Sequence, residues 1–151
     1  LTHGGFYAHF VSREGMLAEA AARACAESAA VVADVVARVS PDMALPSMLN
    51  AYLSRDHAER AEVGCPLAAL GSETSRQAPE VRRVVTRHIK EMIDLVARQS
   101  PDWGRPAAHE RALVTVATMV GALLLARAVD EPGLSDELRE AALRHLISVN
   151  G

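Results

Sequence analysis

The chain reads as all-α. Three observations carry that expectation. Apolar residues recur at three- and four-residue spacing along most of the 151 residues, which is the helical period. The hydrophobic half of the composition is mainly Ala, Val and Leu with only 3% aromatics, a balance suited to close helix packing. Proline and small capping residues punctuate the periodic stretches where helices start and stop. A chain of this length with 50% hydrophobic residues can bury one sizeable core and carry a small appendage.

Each element follows from a local signal. Ser12 can cap a long helix whose stripe runs Leu17, Ala21, Ala24, Ser28, Val31, Val35 and Val39 and stops at Ser40-Pro41. A second helix is expected to start near Leu45-Pro46, with proline in its first turn, and to carry Leu49, Tyr52 and Leu53 into the charged run Arg55 to Glu62. Gly64-Cys65-Pro66 restarts the chain as a short helix through Leu67 and Leu70. From Pro79 the amphipathic pattern is sharpest. Val81, Val85, His88, Met92 and Val96 share one stripe, with Arg82, Arg83, Arg87, Lys90 and Asp94 outside it. The next helix, Ala107 to Val129, is apolar almost all round, as expected when one face meets the core and another meets a second protomer. Glu131-Pro132-Gly133 reads as a turn, after which Ser135 caps a last helix with the stripe Leu138, Ala142, Leu146 and Val149.

Composition also excludes function classes. The net charge of -3 does not advertise nucleic acid, although a reader of DNA can confine its basic residues to one small region. Cys25 and Cys65 match no metal or disulfide spacing, so a reduced, cytoplasmic protein is expected. The nearly apolar run Ala112 to Ala126 is short for a membrane span and reads as a buried helix, so no membrane partner is expected. The six histidines pair with no carboxylate or cysteine at ligand spacing, and no nucleophile elbow, phosphate loop or dinucleotide fingerprint is present. No metal, cofactor or catalysis is expected. Cys65, ahead of Pro66 at a helix N-terminus, is either a buried structural cysteine or a thiol made more oxidisable by the helix dipole.

The first fourteen residues form a separate pattern, a short capped helix, a turn and the capped start of the long helix. Phe6 and Phe10 share one helical face, while Gly4, Gly5 and Ala8 leave the opposite face bare. Two adjacent glycines in a helix cost roughly 1 kcal/mol each relative to alanine, so close approach to another surface is the natural compensation. Arg13, in the first turn of the next helix, opposes the dipole and calls for an anion, such as a phosphate shared with backbone N–H groups.

This segment resembles the recognition helix of the TetR family of transcriptional regulators. Thr2, Gly4, Tyr7, His9, Phe10, Ser12 and Glu14 stand as that family has them, Leu1, Phe6 and Arg13 are conservative replacements, and His3 and Gly5 depart from it. The resemblance implies DNA contacts by Thr2, His3, Gly4, Gly5, Tyr7, His9 and Arg13. Of these, His3, Gly4 and Gly5 approach base edges, and Tyr7, His9 and Arg13 touch phosphates. It further implies that residues 1–20 are the end of a helix-turn-helix domain whose first two helices lie upstream, and that residues 21–151 form a helical-bundle effector-binding and dimerisation domain. In that reading the last two helices pair into a four-helix dimer interface. A small, lipophilic effector occupies a pocket lined by Met48, Tyr52, Leu70, His88, Met92, Trp103, Met119 and Leu123, and its binding releases the repressor from operator DNA. His88 is either the polar anchor of that pocket or a core histidine with one internal partner. A second reading keeps the binding and dimerisation module but dispenses with DNA.

Overall fold

The computed structural model describes residues 12–150, and these fold into seven α-helices and one short 3-10 turn. In chain order the helices are α1 (Arg13–Ala37), α2 (Pro41–Tyr52), α3 (Arg55–Glu59), α4 (Pro66–Thr74), α5 (Pro79–Arg98), α6 (Pro106–Ala128) and α7 (Pro132–Asn150), with the 3-10 turn Ala61–Val63 after α3. The punctuation has a simple logic. Five of these helices begin on a proline, whose fixed φ suits the first turn and whose missing N–H would have no partner there. Serines cap the other two. Gly15 N–H donates to Ser12 Oγ at 2.9 Å and His57 N–H to Ser54 Oγ at 3.1 Å.

Two starts differ from the sequence expectation. α2 begins at Pro41, so Pro46 lies inside the helix, because Ser40-Pro41-Asp42 supplies an earlier start and Pro46 removes only one backbone bond. α7 begins at Pro132 rather than after Ser135, and Ser135 N–H donates to Glu131 O at 3.0 Å. The side chain of the following residue, Asp136, is held by Arg55 and Arg139.

The core lies where α2, α5, α6 and α7 meet. Leu49, Leu123 and Leu146 are fully buried there beside Met48, Tyr52, Val96, Val116 and Met119. Burying each of those leucines stabilises the fold by about 1.5–3 kcal/mol. α5 follows its predicted pattern, with Val81, His88 and Val96 buried, Val85 and Met92 partly so, and Arg82, Arg83, Arg87, Lys90 and Asp94 exposed. α1 packs across α5 and α2 and runs unbroken through residues 20 and 21. Its core-facing side is Cys25, Val32 and Val36, whereas Val31 of the anticipated stripe is 62% exposed. The helix is so rich in Ala and Val that spacing alone does not fix which face turns inward.

α6 extends the apolar run Ala112 to Ala126 at both ends, and its 23 residues are by length and composition enough to cross a membrane. It packs as a core helix. Ala108, Ala112, Thr115, Val116, Met119, Leu123 and Ala126 form the buried face against α5 and α7. Leu113, Val114, Leu124 and Leu125 on its other side are exposed, as are Leu134, Ile147 and Val149 of α7. The expected two-sided character of α6 is therefore present, while Val149 leaves the core stripe anticipated for α7.

Candidate ligand cavity

Two chambers share the walls Ser28, Val32, Met48 and Tyr52. The inner one, about 50 Å³, lies between α1, α2, α5 and α6 and adds Ala29, His88, Glu91, Met92, Leu95, Val96 and Met119. The outer one, about 440 Å³, adds Val31, Val35, Ala51, Ser54, Asp56, His57, Arg60, Gly64 and Cys65. The inner chamber is nearly all apolar, with three methionines whose flexible thioethers adapt to ligand shape. The outer chamber has an apolar side on α1 and a polar side on the segment from Ser54 to Cys65.

Two buried polar side chains border the inner chamber without hydrogen-bond partners among the described residues. His88 is 2% exposed, and both of its ring nitrogens are unsatisfied. Burial holds its pKa below the ordinary imidazole value, with Glu91 acting weakly in the opposite direction, so the neutral ring presents one donor and one acceptor. The Tyr52 hydroxyl likewise makes no hydrogen bond of normal geometry, and burial, reinforced by the Cys65 thiol beside it, pushes its pKa well above the usual phenol range. Unsatisfied buried polar atoms are uncommon, and here they border a cavity.

The outer wall is fixed by His57. Its Nδ1–H donates to Tyr52 O at 2.6 Å while Nε2 accepts from Cys65 N–H at 3.1 Å, so the ring ties the end of α2 to the start of α4. Both bonds together require the neutral tautomer. Burial, reinforced by the nearby Arg127 guanidinium, lowers the His57 pKa, against the raising effects of the Tyr52 carbonyl and Asp56. Gly64 sits against this ring, and a Cβ there would run into His57 and Arg127. Cys65 is the N-cap of α4 and is buried at 1% exposure. Cys25 is also buried, and burial pushes its thiol up to about 11.

Of the residues anticipated for the pocket, Met48, Tyr52, His88, Met92 and Met119 come together around the inner chamber. Leu123 lies one turn further along α6 in the closed core and lines neither chamber. Leu70 and Trp103 do not join them. They are 59% and 62% exposed, and Trp103 instead receives the Arg98 guanidinium over its ring at 5.8 Å. Sequence reasoning missed the α1 wall, although Ser28, Val31 and Val35 belong to the stripe that marked α1; part of that stripe lines the cavity rather than the core. It also missed His57 and Arg60, which sit in the charged run Arg55 to Glu62, and Gly64, which reads only as part of the restart into α4. Arg13 is exposed at the first position of α1, and Thr2, His3, Gly4, Gly5, Tyr7 and His9 lie outside the described residues.

No curated protein matches the chain. Residues 41–142, more than half of it, match the family described as Transcriptional regulator LmrA/YxaF-like, C-terminal domain. The match spans α2 to α6 and the first half of α7, the elements that build the core and most of the cavity wall. With its all-helical fold, the chain belongs to the TetR family of transcriptional regulators.

Proposed function

We propose that this chain is the sensor part of a cytoplasmic TetR-type repressor, in which a small lipophilic effector enters the cavity and releases a homodimer from operator DNA. The observation that carries this reading is the paired chamber, apolar on its α1 and α5 sides and bordered by the unpartnered His88 and Tyr52. An apolar cavity with a few convergent polar groups is the usual form of a small-molecule site. His88 is the polar anchor, and Met48, Met92 and Met119 shape the apolar surround.

Mechanistically, α1 links sensor to reader. It begins at the Ser12 cap, directly after the segment that resembles a recognition helix, and its middle supplies Ser28, Val32 and Val35 to the cavity. A ligand that prefers one placement of α1 therefore shifts the spacing of the two recognition helices away from half-sites one DNA turn apart. A few kcal/mol of differential affinity is sufficient for that shift. Dimerisation uses the exposed apolar side of α6 with α7.

The reading is tested with the full-length protein and the DNA upstream of its own gene. Ala29→Phe, which fills the inner chamber, should leave operator binding intact and abolish release by lipophilic compounds that act on the parent protein. Tyr7→Ala and His9→Ala should weaken operator binding and each lower the salt slope by about 1, as loss of one phosphate contact requires. A full-length protein that binds lipophiles but never binds DNA would favour a stand-alone binding module.

A further inference from the structure

The polar wall of the outer chamber is held from α6 and α7. Arg127, in the last turn of α6, donates through Nη2 to His57 O at 2.6 Å and through Nε to Ala58 O at 3.2 Å. Arg139 of α7, only 6% exposed, donates through Nη1 to Leu53 O at 2.8 Å. Its Nη2 pairs with Asp136, and Asp136 also pairs with Arg55 at the start of α3. Two guanidinium groups on two different helices thus hold the five-residue α3, Arg139 from the Leu53 carbonyl just ahead of it and Arg127 from carbonyls in its second half. The carbonyls they engage near the ends of α2 and α3 are ones that such helices leave without internal partners, and cations are favoured there.

Between these two grips lie Ser54, Asp56 and His57, all facing the outer chamber. The short helix packs against α6, and α2 packs against α7. A guanidinium is planar and fixes two bonds in one geometry, so a shift of the wall is passed to the helix that carries it. Away from their core-facing sides those same helices expose Leu113, Leu124, Leu125 and Ile147.

We propose that Arg127 and Arg139 are positioning residues that link occupancy of the outer chamber to association of two protomers through α6 and α7. The proposal rests on the reading that the cavity binds an effector and that this face forms the dimer. A ligand packed against Tyr52 and His57 presses the wall onto its two anchors and favours the arrangement of α6 and α7 seen here. Filling the cavity therefore tightens the dimer, and by linkage dimerisation tightens ligand binding by the same factor.

The test uses N-phenyl-1-naphthylamine, an uncharged fluorescent hydrophobe, as the cavity probe, and reads dimer dissociation as subunit exchange between differently labelled protomers. Saturating probe should slow exchange of the parent chain about tenfold, within the usual range of coupling between two sites. In the double variant Arg127→Met, Arg139→Met the probe should still bind, judged by fluorescence, while its effect on exchange disappears. Arg127→Lys keeps the charge but loses the two-point grip. It covers the case in which the double variant fails to fold by circular dichroism, and should lower the probe's effect on exchange by about threefold. Undiminished slowing in these variants, or no slowing in the parent chain, overturns the proposal. Failure of the probe to bind overturns the cavity reading beneath it, and absence of any dimer overturns the dimerisation reading; each is distinct from loss of coupling alone.

Discussion

His88 enters the interior with two ring nitrogens that nothing among the described residues satisfies, so its contribution to the unliganded fold is unfavourable. His88→Leu should therefore leave stability unchanged or raise it by about 1 kcal/mol, read as a shift of the urea midpoint, while weakening ligands that hydrogen-bond at that end. A large loss of stability would mean that the ring has a structural partner. His57 is the opposite case, because both of its nitrogens are used in the neutral form. Both rings have pKa values held below the ordinary 6.5, so the unfolded chain binds more protons than the folded one once pH falls under that value. Titration of these two rings therefore takes nothing from stability above about pH 6.5 and lowers it progressively as pH falls toward the folded values. A urea midpoint that does not fall between pH 7 and 5 would contradict this. Gly64 is the third informative residue. Its backbone is extended at φ -116°, so any residue could adopt that conformation, and what demands glycine is the His57 ring beside it. Gly64→Ala should cost about 1–3 kcal/mol, the usual range for overpacking.

At the scale of elements, legibility depended on how asymmetric each helix is. α5 could be read closely because charge and apolarity segregate along it, and its buried and exposed positions fall as its periodicity requires. α1 could be placed but not oriented. Ala and Val occur on most of its sides, so whether Val31 meets the core or a cavity is decided by the helices packed against it. The starts of α2 and α7 were misplaced for a related reason: each has two competing signals a few residues apart, Pro41 and Pro46 in one, Pro132 and Ser135 in the other, and in both the earlier proline prevailed. The α1 cap is a local signal that did hold. Ser12→Ala should lower stability by about 1 kcal/mol through loss of the bond to Gly15 N–H, while Ser12→Asp should retain it. Equal urea midpoints for the two variants would mean that the first turn of α1 contributes nothing to cooperative folding. The cavity was half legible. Residues on strongly patterned helices, such as His88 and Met92, were identifiable, whereas the α3 wall is assembled from tertiary contacts of Arg127 and Arg139 that no spacing encodes.

For the whole molecule the decisive question is what covers the outer side of α6. Leu125 is 50% exposed and Leu113 44%, and Gly121 between them has open space where a Cβ would stand. A row of large apolar residues interrupted by glycine allows a second helix to approach closely, and α6 is apolar on this side while its other side fills the core. Leu125→Glu places a charge on that surface without disturbing the interior. It should leave helical content and the urea midpoint of the monomer unchanged, yet weaken association by at least about 2 kcal/mol, the scale of an interface hot spot. Sedimentation velocity across a dilution series reads this directly. In the full-length protein the same change should weaken operator binding, because two recognition helices on separate protomers no longer engage both half-sites at once. Arg82→Glu on the exposed side of α5 is the matched control, changing charge by more while touching no apolar surface. If Leu125→Glu associates as well as this control, the α6 face is not where two copies meet, and the link from cavity to DNA would have to run through α1 alone.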